Sequence, residues 1–341
     1  LKELARKDYP RGTVGTGVGE AYRYAERYPE LVIRARDLSK PDLCDRIAAV
    51  RDRVRLDLSV LMNGEFLEED QPEVVYEINR LNDPGFLKYV AQRFYEVARH
   101  VKIVSHEYLR NEILARDGVV VVESSHGILT DHYQGFHPHT SAIRTLPRFT
   151  RAMLEEAGYD GEIVNIGVTR AYQIRHGAGP IPTADEAMVE HLLPGSHKEE
   201  NRYQGKVQVG PLDLVLLRYA IAACGGQTTF DGLAITWFDQ IQKNGSWWLC
   251  NRYRSADDLT YFTPSGELRV RFGTDAVQLA YQEKLGQQLR ECVPELTECK
   301  IASDVSRDEL YDFCAGVLQE KLGVGVRMIS FGTTERDKMC K

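Results

Sequence analysis

Residues 119–145 hold the densest set of side chains in the chain that could do acid–base or ligand chemistry, with Glu123, Ser125, His126 and Asp131 at its start and Thr140 and Ser141 near its end. Four of the nine histidines, His126, His132, His137 and His139, fall there. Imidazole suits zinc or iron, but the irregular spacing of these four beside Asp131 matches no ligand pattern, and no metal centre is expected. His126 reads instead as a substrate-facing group and as the candidate for proton transfer. The run Val119-Val120-Val121-Val122 ahead of it is β-branched throughout and predicts a strand covered on both faces. Such a strand delivers Glu123, Ser125, His126 and Asp131 to its carboxyl end, where open α/β sheets hold their ligands.

Two further patterns carry charge or phosphate chemistry. Arg170 and Arg175 lie among apolar residues in a stretch that predicts a strand, and the Gly177-Ala178-Gly179-Pro180 turn behind Arg175 favours anion binding there. The glycines from Gly12 to Gly19 lack the Lys-Ser/Thr of a phosphate loop, so by themselves they predict a flexible turn before a helix. Trp247 and Trp248 are expected to pack rather than to stack on a base.

The elements that must position these residues are helix-rich first and strand-rich later. Leu43, Ile47, Val50, Val54, Leu58 and Leu61 recur at threes and fours, which predicts an amphipathic helix over 40–62 stopped by Asn63-Gly64. Residues 84–116 predict two more helices, with Phe86, Tyr89, Val90, Phe94 and Val97 on one stripe. Strands are expected at 119–123, 163–174 and 233–238, and Asn244-Gly245 and Ser265-Gly266 as hairpin turns. The expectation is an α/β fold: a single large domain over 1–341 around a mostly parallel sheet, with a peripheral β-hairpin region near 245–272.

Composition narrows the function classes. With 341 residues, 43% hydrophobic and 27% charged, the chain can bury a large core. A formal charge of −7 without a Lys/Arg cluster argues against a nucleic-acid partner, since phosphate tracking needs a basic surface. The chain has no apolar run of the roughly 18 residues that a span requires and no signal-like start, so no membrane partner is expected. Seven scattered cysteines, with no Cys-x-x-Cys pair, read as reduced thiols of a cytoplasmic protein.

Several segments, in order, resemble one family. Glu123 to Gly127, then Asp131, Gly135, Pro138, Thr140-Ser141 and Thr145 resemble the substrate loop of adenylosuccinate synthetases, which reads roughly EGAQG, LLD, GTYP and a Thr-Ser stretch. Gly12 to Tyr22 looks like that family's GTTGRGIGPAY, and Ala171 to Thr183 like its AYTTRVGAGPFPT, the closest of these matches. Gly210 to Asp213 is similar to GWLD, Thr236 to Asp239 to TKLD, and Ile329 to Arg336 to the ISTGPDR ending.

That resemblance implies a ligase in which GTP, with magnesium, phosphorylates the oxygen of a 6-oxopurine nucleotide and an aspartate amine then displaces the phosphate. The physical logic is leaving-group activation: carbonyl oxygen leaves poorly, whereas phosphate stabilised by a metal and oriented amides leaves well. Carried over by motif, the purine nucleotide falls to Thr13, Gly15, Thr16, His126, Thr140 and Ser141. The amine substrate or another anion falls to Arg175, Arg202 and Lys206, and the base of the triphosphate to Trp237, Asp239, Ser330 and Gly332. The resemblance also implies a cytoplasmic homodimer whose partners are small nucleotides.

The departures are specific. The family's GDEGKG loop, with its catalytic Asp, and a later catalytic His have no counterpart, and on the size of one large α/β domain roughly a hundred residues are expected in front. Val14 stands for a phosphate-binding Thr, Thr16 for an Arg, His126 for a Gln, and Tyr28, beside Arg27, for the Arg that crosses to a neighbouring subunit. The Arg run that clamps aspartate becomes Gly205-Lys206-Val207-Gln208-Val209, which removes bidentate guanidinium forks and leaves the amine donor open. Two expectations follow. One is a divergent ligase, with ATP as the alternative to GTP and with family members from phages that act on deoxyguanosine monophosphate as a model for a changed purine. The other is a non-catalytic nucleotide-binding or assembly descendant.

Overall fold

Residues 1–7, 11–62, 71–193, 200–201 and 203–341 are described by a computed structural model. They fall into two units, Leu1–Val121 with Glu156–Tyr159, and Val122–Glu155 with Asp160–Lys341.

The first unit is helical: α1 (Val18–Arg27), α2 (Leu43–Met62), α3 (Pro72–Asn82) and α4 (Pro84–His100). Proline opens both α3 and α4, where its missing N–H costs nothing, and the Asp83 carboxylate caps α4 by accepting from Gly85 N at 2.7 Å. The periodicity of residues 40–62 is confirmed: Leu43 and Ile47 of α2 close a core with Ala91, Val90 and Phe94 of α4. The expected Asn63-Gly64 stop lies outside the described residues. The apolar stripe of α4 is only partly used, since Tyr89 is 59% and Val97 44% exposed. Beyond it a π-helical turn, Leu109–Leu114, takes the place of a second regular helix.

The strand expected over Val119–Val122 is a correction. These residues form no strand, and Val119 and Val121 are 91% and 85% exposed. A strand satisfies its amides only through neighbours, and among the described residues no strand pairs with this run, so β-propensity alone does not order it.

In the second unit the elements run α5 (Pro147–Glu156), β1 (Ile166–Arg170), β2 (Gln173–His176), α6 (Glu186–Leu192), β3 (Val207–Gly210), β4 (Leu212–Asp213), α7 (Leu214–Ala223), β5 (Gly232–Thr236) and α8 (Phe238–Asn244). They continue with β6 (Ser246–Arg254), α9 (Ala276–Glu291), β7 (Val293–Lys300), α10 (Arg307–Leu322), β8 (Val326–Ser330) and β9 (Lys338–Cys340). The main sheet has the order β1-β5-β8-β9, the first three parallel and β9 antiparallel. β2 pairs antiparallel with β3, and β6 lies between β4 and β7. This is the expected mixed α/β class with a parallel-rich sheet.

Helix α7 holds the unit together because its apolar residues face two cores at once. Leu214 and Ile221 enter a core with Ile235, Phe238, Trp247 and Leu310, while Val215, Leu216 and Tyr219 enter another with Phe136, Phe262 and Leu285. Two local expectations about turns separate here. Ser265-Gly266 does turn the chain, with Thr263 N donating to Glu267 O at 2.8 Å. Asn244-Gly245 does not make a hairpin: Asn244 ends α8 and Gly245, at φ 67°, caps it. A left-handed glycine serves a helix stop as well as a hairpin, and β6 finds its antiparallel partner β7 far along the sequence instead. Among the described residues no helix is long and apolar enough to cross a membrane, and all seven cysteines are free thiols.

Candidate functional site

Three parallel strands bring the expected base-binding residues to one edge. β1 ends at Arg170, opposite Thr236 at the end of β5, and β8 ends at Ser330, next to the register pair Ile235 and Ile329. Trp237 and Asp239 follow β5, and Gly332 follows β8, so all four lie off the carboxyl ends of adjacent parallel strands, the usual ligand edge of an open α/β sheet.

Trp237 adopts φ 63°, a left-handed conformation that a bulky side chain pays for in strain, and it forms the N-cap of α8. Its ring takes the Arg170 guanidinium at 5.0 Å and the edge of Tyr172 at 5.9 Å. Tyr172 is buried, and burial pushes its pKa up to about 12 against the opposing charge and hydrogen bond of Arg170. The same tyrosine lines a mainly apolar recess of about 180 Å³ with His191, Ile241, Trp247 and Trp248. Trp247 is fully buried and donates to Ala171 O at 2.6 Å, the packing role expected of it. Asp239 lies in the first turn of α8, accepts from Gln240 Nε2 at 2.6 Å and faces Lys243 Nζ at 3.5 Å. Ser330 is buried and donates to Gly332 O at 2.9 Å. A Cβ on Gly332 would stand 2.6 Å from an Asp337 carboxylate oxygen, so this position accepts only glycine without a shift.

The loop that follows His126 is organised by one buried carboxylate. Asp131 Oδ1 accepts from Tyr133 N (2.9 Å) and Gln134 N (3.0 Å), and Oδ2 from Thr145 N (2.6 Å). It is a structural acid, fully engaged with backbone. Gly135 is required beneath it, since a Cβ would lie 2.6 Å from Asp131 O. Thr140 Oγ1 meets His137 Nε2 at 3.3 Å, and Ser141 Oγ accepts from Ile143 N at 3.1 Å. Glu123, Ser125 and His126 are exposed.

Arg175 emerges as the tie between this loop and β2. Its guanidinium donates to His139 O and, at 3.5 Å, to Leu129 O. It is 8% exposed, its Nε has no partner among the described residues, and burial followed by the field of Arg290 pushes its pKa down to about 10. Gly179 packs against it so closely that a Cβ would lie 1.9 Å from Nε. The terminal nitrogens therefore face carbonyl oxygens rather than an open anion site. Lys206 is exposed just before β3, Val209 is fully buried, and Arg202 lies outside the described residues.

Thr13, Gly15 and Thr16 belong to the first unit, in an exposed loop where Gly12, Gly15 and Gly17 all have φ near 80°. Tyr28 is engaged there too, donating to Asp57 at 3.1 Å. Among the described residues no group of three or more His, Cys, Asp or Glu side chains converges to hold a metal ion. Sequence reasoning missed Tyr172 as a neighbour of Trp237. The signal was its place on the partner strand's connection, two residues after Arg170.

These features define an α/β protein whose candidate ligand-binding residues sit off the carboxyl ends of parallel strands. The chain belongs to the adenylosuccinate synthetase family, whose sequence profile matches residues 1–340. It is 24% identical over 345 residues to an adenylosuccinate synthetase of Desulfovibrio desulfuricans, covering 100% of this chain and 72% of that one. To those of Gloeothece citriformis and Thioalkalivibrio sulfidiphilus it is 25% and 28% identical, covering 97% and 78% of this chain and 67% and 57% of theirs. The chain thus spans between roughly half and three quarters of the curated relatives it matches. The fold is similar to that of a fully ligated adenylosuccinate synthetase from Plasmodium falciparum, with a TM-score of 0.68 at 17% identity over 98% of this chain and 72% of that one.

Proposed function

We propose that the chain is part of a purine-nucleotide ligase that uses a nucleoside triphosphate, GTP in preference to ATP, with magnesium, to activate a 6-oxopurine nucleotide and join it to aspartate or another amine donor. The observation that carries this reading is the gathering of Trp237, Asp239, Ser330 and Gly332 off β5 and β8. A carboxylate at Asp239 accepts from both N1–H and the 2-amino group of guanine but meets no such donor pair on adenine, and Trp237 supplies a stacking face. Thr140, Ser141 and His126 of the second unit take the purine nucleotide in this reading, and Lys206 and Arg202 the amine substrate. Arg175 acts there as a positioning residue for the loop that carries Thr140 and Ser141, and the single domain works as a homodimer.

The test is a titration of the whole chain with GTP and with ATP, followed by tryptophan fluorescence and calorimetry. GTP should bind about tenfold more tightly, and Asp239→Asn should remove most of that preference, since a hydrogen bond to a charged group is worth roughly 1.5–3 kcal/mol. Equal affinities in the parent chain, or equal losses for both nucleotides in the variant, reject the base-reading role.

A second reading, a non-catalytic nucleotide-binding or assembly descendant, is supported by Val209. Fully buried in β3, it fills the stretch where an aspartate clamp needs guanidinium groups. Retained GTP preference without any amine donor that supports turnover, in the longest native form of the protein, favours this reading.

A further inference from the structure

The recess of about 180 Å³ beside Tyr172 opens where two cores of the second unit meet. Tyr172 and Leu192, with Met188 packed beside them, belong to one core, and Ala171, Ile241 and Trp247 belong to the other. Local sequence shapes it. Asp185 caps α6 by accepting from Ala187 N at 2.8 Å, and the helical repeat then sets Ala187, Met188, His191 and Leu192 along one face. Opposite this face Gly245 ends α8 and β6 begins, which brings Asn244, Ser246, Trp247 and Trp248 to the lining. Ala171 and Ala187 are the shortest side chains there, and the space they leave stays open. His191 gives the recess an oriented acceptor. Its Nδ1 lies 2.7 Å from Ala187 O, and a carbonyl only accepts, so Nδ1 carries the hydrogen and Nε2 of the neutral ring keeps its lone pair. Nε2 has no partner among the described residues, and neither does the Asn244 amide or the Ser246 hydroxyl.

We propose that this recess binds an uncharged, flat heteroaromatic ring system of one or two rings that carries an N–H donor, with the donor placed on His191 Nε2. The volume falls short of the roughly 300–1,000 Å³ of sites that enclose larger ligands, so a bare ring fits where a whole nucleotide does not. Tyr172, Trp247 and Trp248 supply aromatic surface, which favours a flat partner over an aliphatic one. The mainly apolar lining disfavours a charged ligand, whose desolvation nothing in it offsets. A free nucleobase and an indole share this chemistry. All the lining residues named belong to the second unit, and Asp239, Ser330 and Gly332 are not among them, so the site goes beyond the ligase reading and does not rest on it.

Calorimetric titration of the full chain with indole and, separately, with adenine tests the proposal. Saturable one-to-one binding of at least one of them is expected, and the tighter of the two assigns the site to an indole-type ring or to a nucleobase. His191→Phe keeps a ring and removes the acceptor, so it should weaken that binding about threefold to tenfold, the worth of one hydrogen bond. Ala187→Trp fills the recess from an exposed helix position and should abolish it. Should Ala187→Trp fail to fold, His191→Phe, also at an exposed position, carries the test. Absence of binding by both compounds overturns the proposal, as does binding unchanged in either variant. Binding that survives Ala187→Trp but is lost in Trp237→Gly would place the ring at the base-reading edge and equally overturn it.

Discussion

Asp213 offers a sharp test because its energetics can be worked from its surroundings. It is completely buried at the start of α7, where Oδ1 accepts from Val215 N and Leu216 N, both at 3.1 Å, and Oδ2 accepts from the Tyr253 hydroxyl at 2.6 Å. Burial pushes its pKa from an ordinary 3.8 up to about 6, although these hydrogen bonds and the more distant Arg218 all favour the charged form. Desolvation outweighs the three bonds. The folded state therefore holds this proton more tightly than the unfolded chain does. Stability from this residue is fully present below the unfolded value and is lost as pH rises through about 6, by roughly 3 kcal/mol at about 1.4 kcal/mol per pKa unit. Asp213→Asn keeps an acceptor for the two helix amides and presents its NH₂ to the Tyr253 oxygen, so the cap survives while the titration is removed. Urea unfolding of parent and variant across pH 4 to 7.5 should show the variant's stability, relative to the parent, rising by about 3 kcal/mol, most of it between pH 4 and 6.5. A difference independent of pH would mean that the carboxylate ionises normally in its pocket, and the argument from desolvation would fail.

Other residues make equally direct predictions. Gly210→Ala places a Cβ 1.8 Å from Thr183 O, a backbone atom with little room to move, so a loss of about 3 kcal/mol or more is expected in thermal or urea unfolding; an unchanged midpoint refutes it. Trp237→Gly relieves a left-handed φ of 63°, worth about 1–2 kcal/mol of strain, while removing the ring that Arg170 and Tyr172 pack against. GTP affinity should drop about tenfold in a chain that still folds, since one base–aromatic stack is worth roughly 1–3 kcal/mol, and an unaltered affinity takes Trp237 out of the site. Arg175→Met leaves His139 O and Leu129 O without their donor, so amide exchange should quicken across residues 127–141 while β2 and β3 keep their protection. Uniform protection in both proteins would deny the arginine its positioning role.

The elements most legible in the sequence are those that carry their own partners. The apolar spacing from Leu43 to Leu61 predicts α2 to within three residues at its start, because the face it must bury meets α4 in the same unit. Strands β1 and β5 are likewise foreseen, and their parallel pairing places the two expected base-binding segments at one edge. The side-chain logic of that edge was less visible. Nothing in the spacing of Arg170, Tyr172 and Trp237 says that they pack on one another, since the contacts come from register between strands more than sixty residues apart. Arg175 shows the opposite failure. A guanidinium before a glycine turn reads as an anion site, yet its glycine neighbour brings it against backbone, and its two terminal nitrogens donate to loop carbonyls.

Val119–Val122 separates propensity from pairing most clearly. Four β-branched residues favour the extended region and state a demand for burial, but a local sequence cannot supply the neighbour whose carbonyls and amides complete a ladder. With no paired strand among the described residues, the demand goes unmet, and alternate residues of the run stand almost fully exposed. β1 meets half of the same demand. It pairs with β5 on one side, while Val168, on a strand whose other edge has no described partner, is 71% exposed. His126 is tied to the outcome. The strand expected to aim it is absent among the described residues, and His126 itself is exposed.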